Sequence, residues 1–258
     1  MNEHRTLTPR QARATFRAGL TVPTSGWCGG HQQANLISVP REFAYDVLLF
    51  AQRNPRPVPV IEVTDAGATE APLSAPGCDL RRDVPGYCIW QDGTLVARTA
   101  DVADLWRADL VTFLYGCSLT FERALNARGI PLRHWENATS VPMYDTNIRC
   151  LPAGRLHGPL VVSMRPLGPD AIAQSVEITA RMPHAHGAPV HVGKSSVLGI
   201  GDLARPDYGE PVLVLDDELP VFWACGVTMQ AVARESLLPF AITHEPGHMF
   251  ITDLPEQT

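Results

Sequence analysis

Five histidines in two groups, a cysteine–serine pair at a glycine turn and one strand-terminal arginine are the residues of this 258-residue chain best suited to chemistry. His184, His186 and His191 lie within eight positions, and His244 and His248 are four apart. Imidazole titrates near neutral pH and is a common ligand for zinc and iron, so both acid–base work and a metal centre are open. Against a metal, Pro246-Gly247 breaks any helix that would bring His244 and His248 onto one face. Gly116-Cys117-Ser118 falls between an apolar run and a helix-forming one. A thiol or hydroxyl there faces a helix N-terminus, whose amides favour negative charge and can hold an oxyanion. The alternative is a small buried thiol followed by a helix cap. Arg165 ends the run Val161-Val162-Ser163-Met164 and precedes Pro166. That position suits a two-pronged grip on a carboxylate, or an ion pair with a nearby Asp or Glu. Tyr144, Thr146, Asn147 and Arg149 form a run too rich in hydrogen-bonding groups for a plain linker, whereas Trp223 and Cys225 read as core.

Two glycine motifs tempt and fail. Gly193-Lys194-Ser195 lacks the glycine five residues earlier that a phosphate loop needs, since Ala188 stands there beside Pro189. Gly199-Ile200-Gly201-Asp202-Leu203-Ala204 is followed by Arg205-Pro206, and Pro206 stops the helix that would receive a pyrophosphate. Lys194 is the lone lysine, so any amine nucleophile has one candidate.

The elements that must position these groups are short. There are 23 prolines, many between apolar runs, which predicts rigid turns. Thr8-Pro9 caps a helix over Gln11 to Leu20, and Pro40 opens a second that ends near Asn54-Pro55. Val58 to Val63, Leu110 to Tyr115, Gly158 to Met164, Val212 to Leu215, Pro220 to Ala224 and Phe240 to Thr243 read as strands. Asp92-Gly93 closes a hairpin between Tyr87–Trp90 and Leu95–Ala97. Helices are expected over Asp101 to Ala108 and through Glu122 to Ala127, with Ile172 to Ala180 a short helix or strand. The mixture argues a mixed α/β or α+β class.

Composition bounds the setting. A formal charge of −6 provides no basic field for nucleic acid, and no apolar run approaches a bilayer span. The six cysteines contain no Cys-x-x-Cys pair, which argues against a zinc ribbon or thioredoxin-type site. With no signal-like N-terminus, the expectation is a cytoplasmic protein with reduced thiols.

The strings GCSLTFE (116–122), VPMYDTNIRC (141–150), GPLVVSMRP (158–166), HGAPVHVG (186–193), PVFWACGVT (220–228) and ITHEPGHMFITD (242–253) resemble the D-glutamate cyclase family, whose bacterial members are called hydro-lyases. NLISVP, RNPRPVPVIEV and DLRRDVPGY extend the resemblance, collinear from about residue 8 to 254. It implies a three-layer α/β sandwich joined to a smaller two-layer α+β module, which we place at 139–186, with 1–138 and 187–258 forming the main unit. It also implies loss of water from D-glutamate to give 5-oxo-D-proline; we expect no cofactor and no metal. The partner is then a small carboxylate or amino acid, and a homo-oligomer is open. For that chemistry Arg165 is the candidate grip on the α-carboxylate, and the Cys117/Ser118 turn receives the γ-carboxyl oxygen. His186 or His191 serves as base and acid, and Asp202 orients one of them. Tyr144, Thr146, Asn147 and His244 complete the candidate substrate contacts. Lys194-Ser195 replaces the family's usual Asp-Pro; if that acidic residue meets the substrate amine, Lys194 reverses the charge there. A non-catalytic carboxylate binder and a histidine-ligated metalloenzyme are the alternatives.

Overall fold

A computed structural model describes residues 3–256. Along the chain run α1 (Pro9–Arg17), β1 (His31–Pro40), α2 (Arg41–Arg53), β2 (Val60–Val63), β3 (Tyr87–Gln91), β4 (Thr94–Thr99) and β5 (Leu110–Gly116). There follow α3 (Leu119–Ala127), α4 (Arg133–Glu136), β6 (Met143–Arg149), β7 (Pro159–Leu167), α5 (Pro169–Ala180) and β8 (His191–Val192). The last elements are β9 (Leu219–Ala224), α6 (Thr228–Glu235), β10 (Ala241–His244) and β11 (Phe250–Pro255). The fold is mixed α/β, built on two sheets whose pairings are all antiparallel.

The larger sheet has seven strands in the order β2-β5-β1-β10-β3-β4, with β11 also paired to β1. Its centre is β1, which sequence patterning did not reveal because Gln32, Gln33, Asn35 and Ser38 interrupt its apolar run. Each of these buried side chains makes at least one hydrogen bond, while Gln33 Oε1 is left without a partner. Gln33 Nε2 donates to the Thr24 carbonyl, Asn35 Nδ2 to the Gly116 carbonyl, and Ser38 and Thr112 share a hydroxyl contact at 2.7 Å. One face of this sheet packs on α2 and α6 through Phe43, Val47, Phe50, Met229 and Val232. The other is covered by Ala71, Ala75, Leu80 and Val84, from a stretch too rich in proline and glycine for a helix. That layer is largely irregular chain, with α1 set beside it through the Arg17–Asp83 ion pair and Arg13 over the Phe250 ring.

The smaller sheet has four strands in the order β6-β7-β9-β8. The span 139–186 holds β6 and β7, while β8 and β9 come from beyond it, so the small sheet draws on residues 143–224. Period-2 alternation along β7 sends Val161 and Arg165 to one face, and Val162 and Met164 to the other with Phe222 and Tyr144. This division decides which candidate residues can meet.

The Thr8/Gln11 capping box, the helix after Pro40 and the Asp92-Gly93 hairpin form as expected, with φ of 47° at Asp92 and 72° at Gly93. Two elements do not. Asp101 to Ala108 makes only a 3-10 turn at Ala103–Leu105, because Trp106 is extended and ends it. Val212 to Leu215 finds no ladder partner, and the Leu213 carbonyl is taken by Arg133 Nη1 at 2.7 Å. Among the described residues no helix is long and apolar enough to cross a membrane.

Candidate active site

Two strand-turn-helix units, one from each sheet, end at the same place. In the first, β5 runs through Gly116-Cys117-Ser118 into α3; in the second, β9 runs through Cys225-Gly226-Val227 into α6. Between them lies a narrow recess of about 20 Å³, lined by Ser25, Asn35, Cys117, Ser118, Ser140 and Cys225 among apolar walls of Val141, Met143, Val227 and Met249. It shares Pro23 and Ser25 with a wider hollow of about 340 Å³ against Trp27 and Trp135. Neither helix is capped by the side chain at its N-cap position. The first-turn N–H groups are already bonded within the turns, Leu119 to Cys117 Sγ, Thr120 to the Cys117 carbonyl, Thr228 to the Cys225 carbonyl and Met229 to the Gly226 carbonyl, so what the two helices bring to the recess is the positive end of each dipole, which favours an anion.

Glycine is required at both turns. A Cβ on Gly116 would overlap the His184 carbonyl, and one on Gly226 would overlap the Asn35 side-chain amide. Asn35 thereby couples the two turns: its Nδ2 donates to the Gly116 carbonyl at 2.6 Å while Gly226 packs on its amide group. Tyr115 adds a hydroxyl donation to the Gly226 carbonyl at 3.2 Å.

Behind Ser118 stands a buried charge network. Arg165 is 1% exposed and lies over the rings of Phe121 and Trp223. Its Nε donates to Glu122 Oε1 at 3.1 Å, Nη1 to Ser163 Oγ at 3.1 Å, and Nη2 to both Glu122 Oε1 and Ser118 Oγ, the latter at 3.1 Å. Glu122 Oε2 accepts from Ser25 Oγ at 2.9 Å and Trp135 Nε1 at 2.6 Å. His134 Nε2 lies 2.8 Å from Glu122 Oε1, off the hydrogen-bonding direction. Burial alone would raise the Glu122 carboxyl, but the nearness of His134 and Arg165 and the hydrogen bonds from Arg165 outweigh it and hold the group down at about 2. Arg165 is thus the ion-paired arginine of the two readings above, and its free prong goes to Ser118. Because Ser118 Oγ accepts from the guanidinium, its own proton is free to be donated elsewhere.

The two thiols at the turns are buried and coupled. Burial pushes Cys225 up to about 11 and Cys117 higher still, although the Leu119 N–H donates to Cys117 Sγ at 3.4 Å. The helix-end effect anticipated for Cys117 is present but smaller than desolvation, so the thiol stays protonated.

The structure brings Cys117, Ser118 and Arg165 together and sends other candidates elsewhere. His191 pairs with Phe222, and so projects from the opposite face of the small sheet to Arg165. Its Nε2 is 2.9 Å from the Lys194 carbonyl, and Lys194 is exposed. Asp202 is exposed too and caps its own turn through the Ala204 N–H, far from orienting an imidazole. Tyr144 donates to the Leu203 carbonyl and Thr146 to the Leu160 carbonyl, while exposed Asn147 donates to the Val197 carbonyl. All are committed to holding the far side of the small sheet. His186 is buried with φ of 78° and donates from Nδ1 to the Arg56 carbonyl at 2.7 Å. Burial, with a smaller push from Arg165, takes its imidazole down to about 4. His244 is buried in β10 beside Leu36, likewise lowered to about 4 by burial. Neither imidazole lines the recess. Among the described residues, no three His, Cys, Asp or Glu side chains gather as a metal site.

Glu122, His134, Asn35 and Ser25 were not singled out from sequence. A signal existed for Glu122: it stands four residues after Ser118 on a helix, and such residues share a face. Nothing local marks Asn35, whose role depends on two turns more than eighty residues away.

Comparison with known proteins gives the family. The profile of the D-glutamate cyclase family matches residues 111–253. A protein of Nocardioides sp. named "Putative hydro-lyase" is 59% identical over 98% of this chain and 93% of its own length. Proteins of the same name from Streptomyces avermitilis (56% identical, 97% of this chain, 91% of the relative) and Saccharopolyspora erythraea (58%, 96% of each) match similarly. A solved nitrogen repressor-like protein from Methanococcus jannaschii overlays with a TM-score of only 0.39 at 9% identity, across 91% of both chains. Full-length similarity to proteins named as hydro-lyases, together with the profile match over both strand-turn-helix units, shows that this chain belongs to the D-glutamate cyclase family.

Proposed function

We propose that the recess closes D-glutamate to 5-oxo-D-proline with loss of water. The observation that carries this reading is Ser118. Its oxygen is fixed by Arg165, its proton is free, and it stands at the N-terminus of α3 in the recess that α6 also reaches. In the reaction the substrate's α-amine, once neutral, attacks its own γ-carboxyl carbon. A C–N bond forms, a C–O bond breaks, and the departing oxygen leaves as water carrying the two protons the ammonium gives up. The negative charge that builds on the tetrahedral carbon's oxygen is met by the positive ends of the α3 and α6 dipoles and by the Ser118 hydroxyl. Ser118 relays a proton to the leaving oxygen, and Arg165, held by Glu122, keeps the hydroxyl in register. No imidazole lines the recess, so the amine sheds its proton to water and turnover rises with pH through the amine's own titration. We place the activity in the cytosol, where six free thiols persist.

The test is incubation of the purified protein with D-glutamate and, separately, L-glutamate, following loss of one water by mass. Accumulation of 5-oxoproline from the D-enantiomer is expected. No product from either enantiomer after prolonged incubation at millimolar substrate overturns the reading.

A further inference from the structure

Ring closure gives the second thiol of the recess no task. We propose that Cys225 and Cys117 form a proton-transfer pair acting on the carbon α to the ligand's carboxylate, so that the recess also exchanges and inverts that centre. The inference rests on the reading that glutamate occupies the recess.

The geometry supplies the pair from two independent directions. Cys117 leaves the end of β5 in the seven-stranded sheet, and Cys225 leaves the end of β9 in the four-stranded one. Both line the same recess, both belong to the packed cluster between the sheets, and each is followed at once by a helix N-terminus. Asn35 contacts both turns and fixes their relation. A carboxylate held at the two helix ends would lie in the recess that both thiols line, one from each sheet. Inversion at such a carbon needs one group to remove a proton and a second to return one to the other face.

The step balances without a co-reactant. A thiolate takes the α-hydrogen as a proton, and the C–H pair moves into the carboxylate as an enediolate. The helix ends stabilise the added charge. The opposite thiol then gives its proton to carbon and becomes the thiolate. Cys225 ionises before Cys117, because Cys117 is pushed higher by burial and by Cys225 itself. Cys225 is therefore the first base and Cys117 the donor. The charged groups facing the pair are Glu122 and Arg165, which offset each other, and Tyr115, whose hydroxyl is held by the Gly226 carbonyl.

The experiment is proton NMR of D-glutamate, and separately of L-glutamate, with wild-type protein in deuterium oxide, coupled to chiral analysis of the recovered amino acid. The α-proton signal should disappear and the opposite enantiomer accumulate. The rate should rise about tenfold per pH unit between pH 7 and 10, as the Cys225 thiolate fraction grows. Cys225→Ser, and Cys225→Ala should the serine variant not fold, should lower the ratio of exchange to cyclisation about a hundredfold. Cyclisation with the α-hydrogen fully retained overturns the pair and leaves the cyclase reading standing. An unchanged ratio in a folded Cys225 variant does the same. Neither exchange nor cyclisation, from either enantiomer, overturns both.

Discussion

Arg165 and Glu122 form an ion pair withdrawn from water, the guanidinium 1% exposed and the carboxylate not at all. An isolated charge at either position would be costly, and the pair survives because every prong has a partner: Ser163 and Ser118 on one side, Ser25 and Trp135 on the other. The network joins β7 of the small sheet to α3, which grows from the large one. It therefore locks the two sheets together immediately behind the recess.

Removing one partner should be far worse than removing both. Glu122→Gln leaves Arg165 buried without a counter-charge, an expected loss of about 3–5 kcal/mol. In thermal unfolding this should lower Tm on the order of 10 °C. Replacing both partners with apolar groups, Glu122→Leu with Arg165→Met, should recover most of that loss while abolishing turnover. A double variant no more stable than the single one would contradict this account.

Acid should undo the fold in two windows. His186 and His244 are lowered to about 4 by burial, so the unfolded chain takes up protons on them that the folded chain refuses. Stability from these groups is full above their ordinary value and is lost as pH falls from about 6.5 towards 4. Glu122 is also depressed, to about 2, so its contribution is full above about 4.5 and is lost only as pH falls on towards 2. Denaturant midpoints measured against pH should show both declines. His244→Phe should flatten the upper one and Glu122→Gln the lower, a pattern that a single unspecific charge effect would not produce.

Much of this frame is legible from local pattern, and the limits have physical causes. Thr8 with Gln11, Pro40 before α2, and Asp92-Gly93 act within a few residues, so their chemistry reads directly. Gly116-Cys117-Ser118 reads the same way, as a strand-to-helix turn. β1 does not, because its buried amides are compensated by partners from other elements. For Arg165 the residue type allowed a substrate grip or an ion pair, and only the position of α3 against β7 decides for Glu122. His191 stands close in sequence to His186 yet on the other face of a sheet, a separation that spacing alone cannot register.

The glycines at the two turns should not tolerate a methyl group. Gly116→Ala drives Cβ into the His184 carbonyl, and Gly226→Ala drives it into Asn35, so backbone must move in both. Each is expected to cost about 1–3 kcal/mol and to lower turnover further by displacing a helix N-terminus. Asn35→Ala should relieve the Gly226→Ala clash, so the double variant should be less damaged than the sum of the singles. Additive losses would show that the turns are independent.

Ser118 and the far-face residues offer opposite expectations in one assay. Ser118→Ala removes a proton donor from the recess and leaves Arg165 Nη2 with one partner fewer, so kcat for D-glutamate should fall about a hundredfold or more with KM little changed. Ser118→Thr keeps the hydroxyl and should restore part of it. Arg165→Lys should not, since a single ammonium cannot serve Ser163, Ser118 and Glu122 from one plane. His191→Ala, Asp202→Ala and Lys194→Ala alter groups across the small sheet from the recess, and each should leave turnover within about twofold, as surface changes do. If His191→Ala instead abolished turnover while Ser118→Ala did not, the chemistry would have to lie on the other face of the four-stranded sheet, beside Phe222 and Tyr144.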